Sequence, residues 1–218
     1  MATLKNKARI PVQKRSIETR EKIINAAWTL FAEKGYFKTS AHDLADRAGV
    51  ATGSFYGYFN NKKEVAIEII RRFYKEASDK ALYNFRIQLG DTVAQNLDQC
   101  RKLVRFIIQS LKESHAINPM LHREVIALIN LDEEVRKINH EEEQKVVALI
   151  VAFLRQYKQF IRVDDIEAAA ILLFRTSDEI IHRIMINKEE LEAERLLGEL
   201  EDMICSYLFL SPSGIMNP

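Results

Sequence analysis

Residues 49 to 64, GVATGSFYGYFNNKKE, concentrate hydroxyl and ammonium groups in one short stretch. Thr52, Ser54, two tyrosines and two lysines surround a pair of phenylalanines, Phe55 and Phe59. Hydroxyl and ammonium groups can donate hydrogen bonds to phosphate oxygens, and such contacts fix a protein on a nucleic acid without reading its sequence. The alternative is ordinary packing, in which each tyrosine buries its ring and leaves its hydroxyl at the surface.

The charges of the chain are divided between its two ends. Residues 1–63 carry twelve Lys and Arg against five Asp and Glu, which gives +7, and the remainder carries −6. The net charge of +1 for all 218 residues hides this division. A basic head on an acidic body indicates that only the head meets a polyanion, with chance clustering of charge as the alternative.

The elements that must position these groups are all predicted to be helices. Glycine and proline are scarce, and apolar residues recur at steps of three and four. A first helix ends at Gly35, Ser40 and Asp43 resemble a capping box that starts a second, and a third runs from about Thr52 to Phe59. Two short helices joined by a glycine-containing turn are typical of a helix-turn-helix. Longer helices are predicted from Lys62 and over 92–114, 119–130, 132–159, 164–187 and 189–210.

The chain lacks the arrangements on which most catalytic and metal sites depend. The histidines are His42, His115, His122, His140 and His182. None of them forms a metal-type pair on one helical face, and neither cysteine has a partner at ligand spacing. A glycine-rich phosphate loop and a nucleophile elbow are also missing from the sequence. We therefore expect no enzyme activity, no cofactor and no metal site.

The cysteines, the N-terminus and the lack of long apolar segments indicate where in the cell the protein is found. Cys100 and Cys205 lie far apart in apolar surroundings, and the basic N-terminus has no apolar run behind it. No segment approaches the length of apolar residues that a membrane span needs. We expect buried free thiols in a cytoplasmic protein that does not associate with a membrane.

Residues 18–70 resemble the DNA-binding head of the TetR (tetracycline-repressor) family of bacterial regulators. The resemblance rests on the glycine of EKGY, the blocks DLADRAGV and GSFYGYF, and the step NKKE, all at the family's spacing. It implies a homodimeric transcription factor, usually a repressor that a small ligand releases from a near-palindromic double-stranded DNA operator. The implied architecture is all-α, with a three-helix helix-turn-helix head joined to a larger helical body. Its segments are a flexible basic arm over 1–15, the DNA-binding domain over 16–63, and the ligand-binding and dimerisation domain over 64–218.

The resemblance makes the helix that begins near Thr52 the recognition helix, whose N-terminal residues face base edges in the major groove. Phe55 and Phe59, four residues apart, then share the face that packs on the core. Two departures stand out, because Ala51 replaces a capping serine and Gly57 replaces a bulky residue that the family commonly has. Operator preference is therefore not carried over from relatives. The predicted DNA contacts are Ser40, His42, Thr52, Gly53, Ser54, Tyr56, Tyr58 and Lys62.

Three of these contacts have open alternatives besides the packing already given for the tyrosines. With Ala51 in place of a capping serine, Thr52 either caps its own helix or contacts a base. Ser40 serves the second helix as a cap, with or without a DNA contact, and His42 is either a phosphate ligand or a solvated side chain.

The body is predicted to supply a dimer interface. Apolar residues of the last helix recur as a heptad seam, which either a partner chain or an intrachain core can cover. The resemblance implies that the last two helices pair across a two-fold axis. The predicted interface residues are Leu173, Ile180, Ile184, Leu196, Leu200, Met203 and Tyr207.

The body is also predicted to hold a small-molecule effector of unknown identity in a mostly apolar pocket. The candidate lining residues are Arg105, Phe106, Gln109, Phe153, Phe174, Arg175 and Asp178. The alternative is an ordinary apolar core, with Arg175 paired to Asp178 or Glu179 on its own helix.

Two other function classes stay open at this point. A helical adaptor that binds protein partners would keep the dimer seam but would not need a basic head. A DNA binder of the same fold that activates transcription or organises the chromosome would share every feature above.

Overall fold

The structure is a computed structural model that describes residues 14–89, 96–116, 119–187 and 190–209. Within these ranges the regular elements are helices, which confirms the predicted all-α fold. Their bounds are α1 (Lys14–Lys34), α2 (Ala41–Arg47), α3 (Thr52–Tyr58), α4 (Lys62–Leu89), α5 (Leu97–His115), α6 (Pro119–Leu131), α7 (Glu133–Gln156), α8 (Ile166–Asn187) and α9 (Glu190–Leu208). A short 3-10 turn, Lys158–Phe160, follows α7.

The predicted basic arm is largely outside the described residues. Its last two residues, Lys14 and Arg15, already belong to α1. Lysine and arginine are good helix formers, and the nearest proline, Pro11, precedes them.

Contacts group the chain into two compact units. The head unit comprises residues 1–75 and 118–138, and the body unit comprises 76–117 and 139–218. The head unit therefore contains α6 in addition to the helix-turn-helix, and both α4 and α7 have residues in each unit. The boundary predicted between the DNA-binding domain and the ligand-binding domain, at residues 63 and 64, stays a prediction.

The core of the head unit is made by apolar residues at helical spacing. Ile23 and Ala27 of α1, Leu44 of α2 and Phe55 of α3 are fully buried, and Phe59 is 3% exposed. The rings of Phe55 and Phe59 lie 6.0 Å apart. The prediction that these two phenylalanines face the core is confirmed.

The predicted capping box at the start of α2 is confirmed. The Ser40 hydroxyl accepts a hydrogen bond from the Asp43 N–H at 3.1 Å, and the Ser40 N–H donates to Asp43 Oδ2 at 2.7 Å. Hydrogen bonds from Ser40 hold the pKa of Asp43 well below its ordinary value, and Lys34 adds to the effect. By contrast, Ala51 gives α3 no side-chain cap.

Helix α1 ends at a left-handed glycine, as predicted. Gly35 has φ +86°, which glycine adopts without the strain that a Cβ brings. A Cβ at this position would lie 3.1 Å from a carboxylate oxygen of Glu124 in α6. The same carboxylate accepts a hydrogen bond from the Tyr36 N–H at 2.6 Å, so α6 holds the end of α1.

Gly35, at the end of α1, and Gly57, within α3, give a paired test of the stability of the head unit. We expect Gly35→Ala to lower the free energy of unfolding by about 1–2 kcal/mol, because a left-handed backbone strains alanine. We expect Gly57→Ala to raise it by up to about 1 kcal/mol, because nothing lies near a Cβ within helix α3. Denaturant titration followed by tryptophan fluorescence measures both. A Gly35→Ala variant as stable as the parent would contradict the left-handed geometry.

The body unit has one apolar core shared by α5, α7, α8 and α9 and the turn after α7. Leu154 and Ala169 are fully buried in it, and Tyr157 is 1% exposed. Cys100 and Cys205 are buried there as free thiols, as predicted. Burial raises the pKa of the Cys205 thiol to about 11, so the thiol stays protonated near neutral pH.

None of the helices in the described ranges is both long and apolar enough to cross a lipid bilayer.

Candidate nucleic-acid interface

The first turn of α3 presents its donors outward. Gly53 and Ser54 are exposed, the Tyr56 side chain is 54% exposed, and Thr52 is half-buried. Phe55, between them in sequence, is fully buried and fixes which face of the helix points away from the core. Apart from the neighbours of Gly53 in α3 itself, no atom of the described residues lies within 4 Å of a Cβ built on Gly53, so a base edge or a phosphate can approach the backbone closely there.

Helix α2 is tied to this turn through two predicted site residues. His42 Nδ1 lies 3.2 Å from Thr52 Oγ1, and both His42 and Ser40 are exposed. This contact places the first turns of α2 and α3 side by side. His42 therefore orients the Thr52 hydroxyl at the start of α3.

Tyr58 differs from Tyr56 in having a partner inside the head unit. The Ser16 hydroxyl of α1 donates to the Tyr58 hydroxyl at 3.3 Å, and Tyr58 is half-buried. A phenol that accepts one hydrogen bond keeps its own proton for donation. Tyr58 thus joins α3 to α1, whereas Tyr56 is the more accessible of the two predicted phosphate donors.

The structure gives Lys62 a role that the sequence did not indicate. Its Nζ donates to the carbonyl oxygens of Tyr36 at 2.9 Å and Thr39 at 2.8 Å, and lies 4.3 Å from the centre of the Tyr36 ring. Burial lowers the pKa of the Lys62 ammonium. The ammonium therefore binds the segment between α1 and α2 to the start of α4. A phosphate contact by Lys62 stays a prediction.

Two exposed residues beside this surface were not singled out from the sequence. The Phe37 side chain is 57% exposed and Lys38 is exposed, and they lie three and two residues before Ser40, the capping residue of α2. Their nearness to Ser40 in the sequence is the signal that could have found them. Lys38 adds a cation at the edge of the candidate interface.

Comparison with known proteins decides the family. The family model described as "Bacterial regulatory proteins, tetR family" matches residues 23–69, which include α2 and α3. A second, "Tetracyclin repressor-like, C-terminal domain", matches residues 101–208. The chain belongs to the tetR family of bacterial regulatory proteins. The resemblance stated from the sequence is thus confirmed, and the protein is a TetR-family transcriptional regulator.

Individual relatives agree with this assignment. TtgR of Pseudomonas putida, a helix-turn-helix (HTH) transcriptional regulator, is 26% identical over 208 residues, covering 90% of this chain and 94% of TtgR. The HTH-type repressor KstR2 of Rhodococcus jostii is 32% identical over 113 residues, covering 50% of this chain and 52% of KstR2. Both names describe regulators of transcription.

A solved structure shares the fold. SmeT, the repressor of the multidrug efflux pump SmeDEF of Stenotrophomonas maltophilia, has been solved as a complex with triclosan. That structure superposes on this TetR-family regulator with a TM-score of 0.64 at 21% identity, covering 92% of this chain and 98% of SmeT.

The predicted ligand residues of this regulator are scattered between core and surface. Phe174 is buried, Phe106 and Phe153 are partly buried, and Gln109 is exposed. Gln109 donates to Glu113 on its own helix at 3.2 Å.

Both candidate arginines are exposed and paired with carboxylates of neighbouring helices. Arg105 makes two hydrogen bonds to Glu201, at 2.7 and 2.8 Å, and lines a charged crevice of 270 Å³ between α5 and α9. Arg175 makes two to Glu143, at 2.7 and 2.9 Å, rather than to Asp178 or Glu179 on its own helix.

The predicted interface residues also divide. Three are buried within the single chain, three are half-buried, and Met203 is 48% exposed. The buried ones are Leu173, Ile184 and Leu200, and the half-buried ones are Ile180, Leu196 and Tyr207. Helix α8 instead exposes two residues that the sequence did not single out, Ile171 at 49% and Leu172 at 55%.

Proposed function

We propose that this regulator is a homodimeric repressor that binds a near-palindromic operator through α2 and α3 and leaves it when a small molecule binds the body unit. The observation that carries the proposal is the accessible first turn of α3. Gly53, Ser54 and Tyr56 are exposed there while Phe55 holds the helix from beneath. A recognition helix uses this part of its length to reach base edges.

The charge of the head supports DNA as the partner. The +7 of residues 1–63 attracts a polyanion, and Lys38, two residues before the cap of α2, and Tyr56 of α3 are both exposed. Side chains of this kind contact phosphates and fix register, while the first turn of α3 reads bases. Binding should therefore weaken as salt concentration rises.

The exposed apolar residues of the body support a dimer. Ile171 and Leu172 of α8 and Met203 of α9 each leave about half of a large apolar side chain in water in the single chain. Burial against a second copy removes that cost. A two-fold dimer sets two recognition helices about 34–36 Å apart, one turn of DNA, and so selects a near-palindrome.

The ligand is proposed to be small and partly apolar. SmeT, which shares the fold, binds triclosan. In this chain, Phe106 and Phe153 are partly buried, and Phe153 packs against the core of the body unit. We infer that aromatic residues of this kind line the ligand site. Helix α4 continues from the head unit into the body unit and is the element through which we infer that ligand binding alters operator affinity.

The test is selection of bound genomic fragments by the purified full-length protein at near-physiological salt, with its mass in solution measured in parallel. A short near-palindrome upstream of a few operons, bound by a dimer, supports the proposal. Weak, salt-sensitive binding without a motif by protein that was refolded free of ligand contradicts it. A dimer that does not bind DNA at all points to an adaptor of protein partners.

Tyr56→Phe tests the recognition surface with the selected operator. Losing one hydroxyl that donates to a phosphate should lower operator affinity about 2- to 10-fold, the worth of one hydrogen bond, and leave stability unchanged. Fluorescence anisotropy of labelled operator measures it. The matched control is Tyr83→Phe, because Tyr83 is 65% exposed on α4 outside the proposed interface. Equal affinities of the two variants would remove Tyr56 from the DNA contacts.

A further inference from the structure

Two histidines and an aspartate meet between α5 and α8 in the body unit. His115 Nε2 lies 3.2 Å from Asp178 Oδ1, and His182 Nδ1 lies 3.5 Å from Asp178 Oδ2. The two imidazole rings are 4.9 Å apart, centre to centre. The side chains of His115, Asp178 and His182 are only 11%, 24% and 22% exposed. The cluster is therefore mostly removed from water.

The second ring nitrogen of His115 fixes its tautomer. His115 Nδ1 lies 2.9 Å from the carbonyl oxygen of Leu111. A carbonyl only accepts hydrogen bonds, so Nδ1 carries a proton, and in a neutral ring Nε2 then presents a lone pair. That lone pair faces a carboxylate oxygen of Asp178, so two atoms with lone pairs lie 3.2 Å apart. Such a pair of atoms can both bind one metal cation.

The contact of His115 with a backbone carbonyl is one that metal-binding histidines commonly make. Histidines that bind metals donate their other ring N–H to a carboxylate, a water or a backbone carbonyl, which orients the ring and raises its basicity. The Leu111 carbonyl occupies that position for His115. The orientation of His115 Nε2 toward the cluster is thus set by the backbone of its own helix.

The spacing of the ligand atoms also fits a metal ion. Nitrogen and oxygen ligands bound at 2.0–2.2 Å around a tetrahedral metal lie about 3.3–3.6 Å from each other. The two nitrogen-to-oxygen distances in the cluster are 3.2 Å to Asp178 Oδ1 and 3.5 Å to Asp178 Oδ2, so a carboxylate that binds through both oxygens has one imidazole beside each. One ring nitrogen of His115 and one of His182 lie within 4.8 Å of each other, so a small contraction brings both to one ion.

We propose that His115, Asp178 and His182 form a binding site for a divalent first-row transition metal ion such as Zn²⁺. Two imidazoles and one carboxylate are ligands that Zn²⁺, Co²⁺ and Ni²⁺ accept, and hard cations such as Mg²⁺ prefer oxygen. The site departs from the expectation of no metal drawn from the sequence. That expectation considered histidine pairs on one helix, whereas His115 stands 63 residues before Asp178 on another.

The test is metal uptake by the full-length protein after chelator treatment. Titration with Co²⁺ should produce the visible absorption bands of a four- or five-coordinate ion, and Zn²⁺ should displace it. X-ray absorption of the Zn²⁺ form should show two imidazole ligands. His182→Gln and Asp178→Asn should each lower the affinity by more than the roughly 10- to 100-fold typical of outer-shell changes.

The matched control is His140→Gln, the same substitution at a histidine of α7 whose side chain is 65% exposed. This variant should bind Co²⁺ like the parent. Zn²⁺ should also raise the melting temperature of the parent and of His140→Gln, but not of His182→Gln, which separates metal binding from a folding defect.

Absence of Co²⁺ and Zn²⁺ uptake by the parent, or equal uptake by the His182→Gln and His140→Gln variants, would overturn the proposal. Operator binding is measured separately, and its outcome leaves this test unaffected.

Discussion

Replacing Phe55 with alanine should lower the free energy of unfolding of the head unit by about 3–5 kcal/mol. Phe55 is fully buried, and its ring contacts those of Tyr56 and Phe59 at centroid distances of 5.3 and 6.0 Å. Alanine leaves a cavity under α3 that a seven-residue helix with no side-chain cap can fill only by moving. The recognition surface should therefore lose its shape together with its stability.

The chain offers a specific probe for this measurement. Its single tryptophan, Trp28, lies in α1 of the head unit, so tryptophan fluorescence during denaturant titration follows the head. Tyr56→Ala is the matched control, because Tyr56 is the neighbour of Phe55 but is 54% exposed. The control should change stability by about 0.5 kcal/mol or less. A Phe55→Ala variant of parental stability would mean that α3 presents the opposite face to the core.

Lys62→Ala is expected to act on stability rather than on the salt dependence of DNA binding. Its ammonium donates to the carbonyls of Tyr36 and Thr39, and each charge-assisted bond contributes about 1.5–3 kcal/mol. We expect the variant to lose about 2–4 kcal/mol in the same fluorescence titration. The sequence, in contrast, predicted a phosphate contact, whose loss would weaken binding to all DNA and reduce the salt slope by about one.

Lys38→Ala separates these two roles. Lys38 is exposed next to the candidate interface, so its loss should leave stability unchanged and reduce the salt slope of operator binding by about one. We therefore expect opposite results for the two variants. Lys62→Ala should lower stability and keep the salt slope, whereas Lys38→Ala should keep stability and reduce the salt slope. A Lys62→Ala variant with parental stability and a reduced slope would restore the sequence-based interpretation.

The features predicted correctly from the sequence depend on residues close together in the chain. Helical period, the left-handed Gly35, the capping box of Ser40 and Asp43, and the inward face of Phe55 and Phe59 all arise within a few residues. Local sequence determines these features, and packing between helices does not change them. The family followed from the same stretch, because its motifs are contiguous.

What could not be predicted depends on partners distant in sequence. Lys62 binds two backbone carbonyls, which every residue type carries and which therefore leave no signal in the sequence. Arg105 pairs with Glu201, 96 residues away, although the sequence suggested a ligand contact. An amphipathic pattern does not show which other helix packs against it. Ion pairs between helices therefore could not be predicted from the sequence.

The place of α6 has a consequence for how this protein is made and re-engineered. Helix α6 contacts α1, and its Glu124 accepts the Tyr36 N–H at the end of α1. On the ribosome, the helix-turn-helix emerges first, but its packing is complete only after residue 131 has been synthesised and has left the exit tunnel. A chimera that exchanges only the N-terminal segment with another regulator would carry an α1 without its own α6. Exchange of operator specificity in this chain should therefore graft the surface of α2 and α3 alone, or transfer α6 as well.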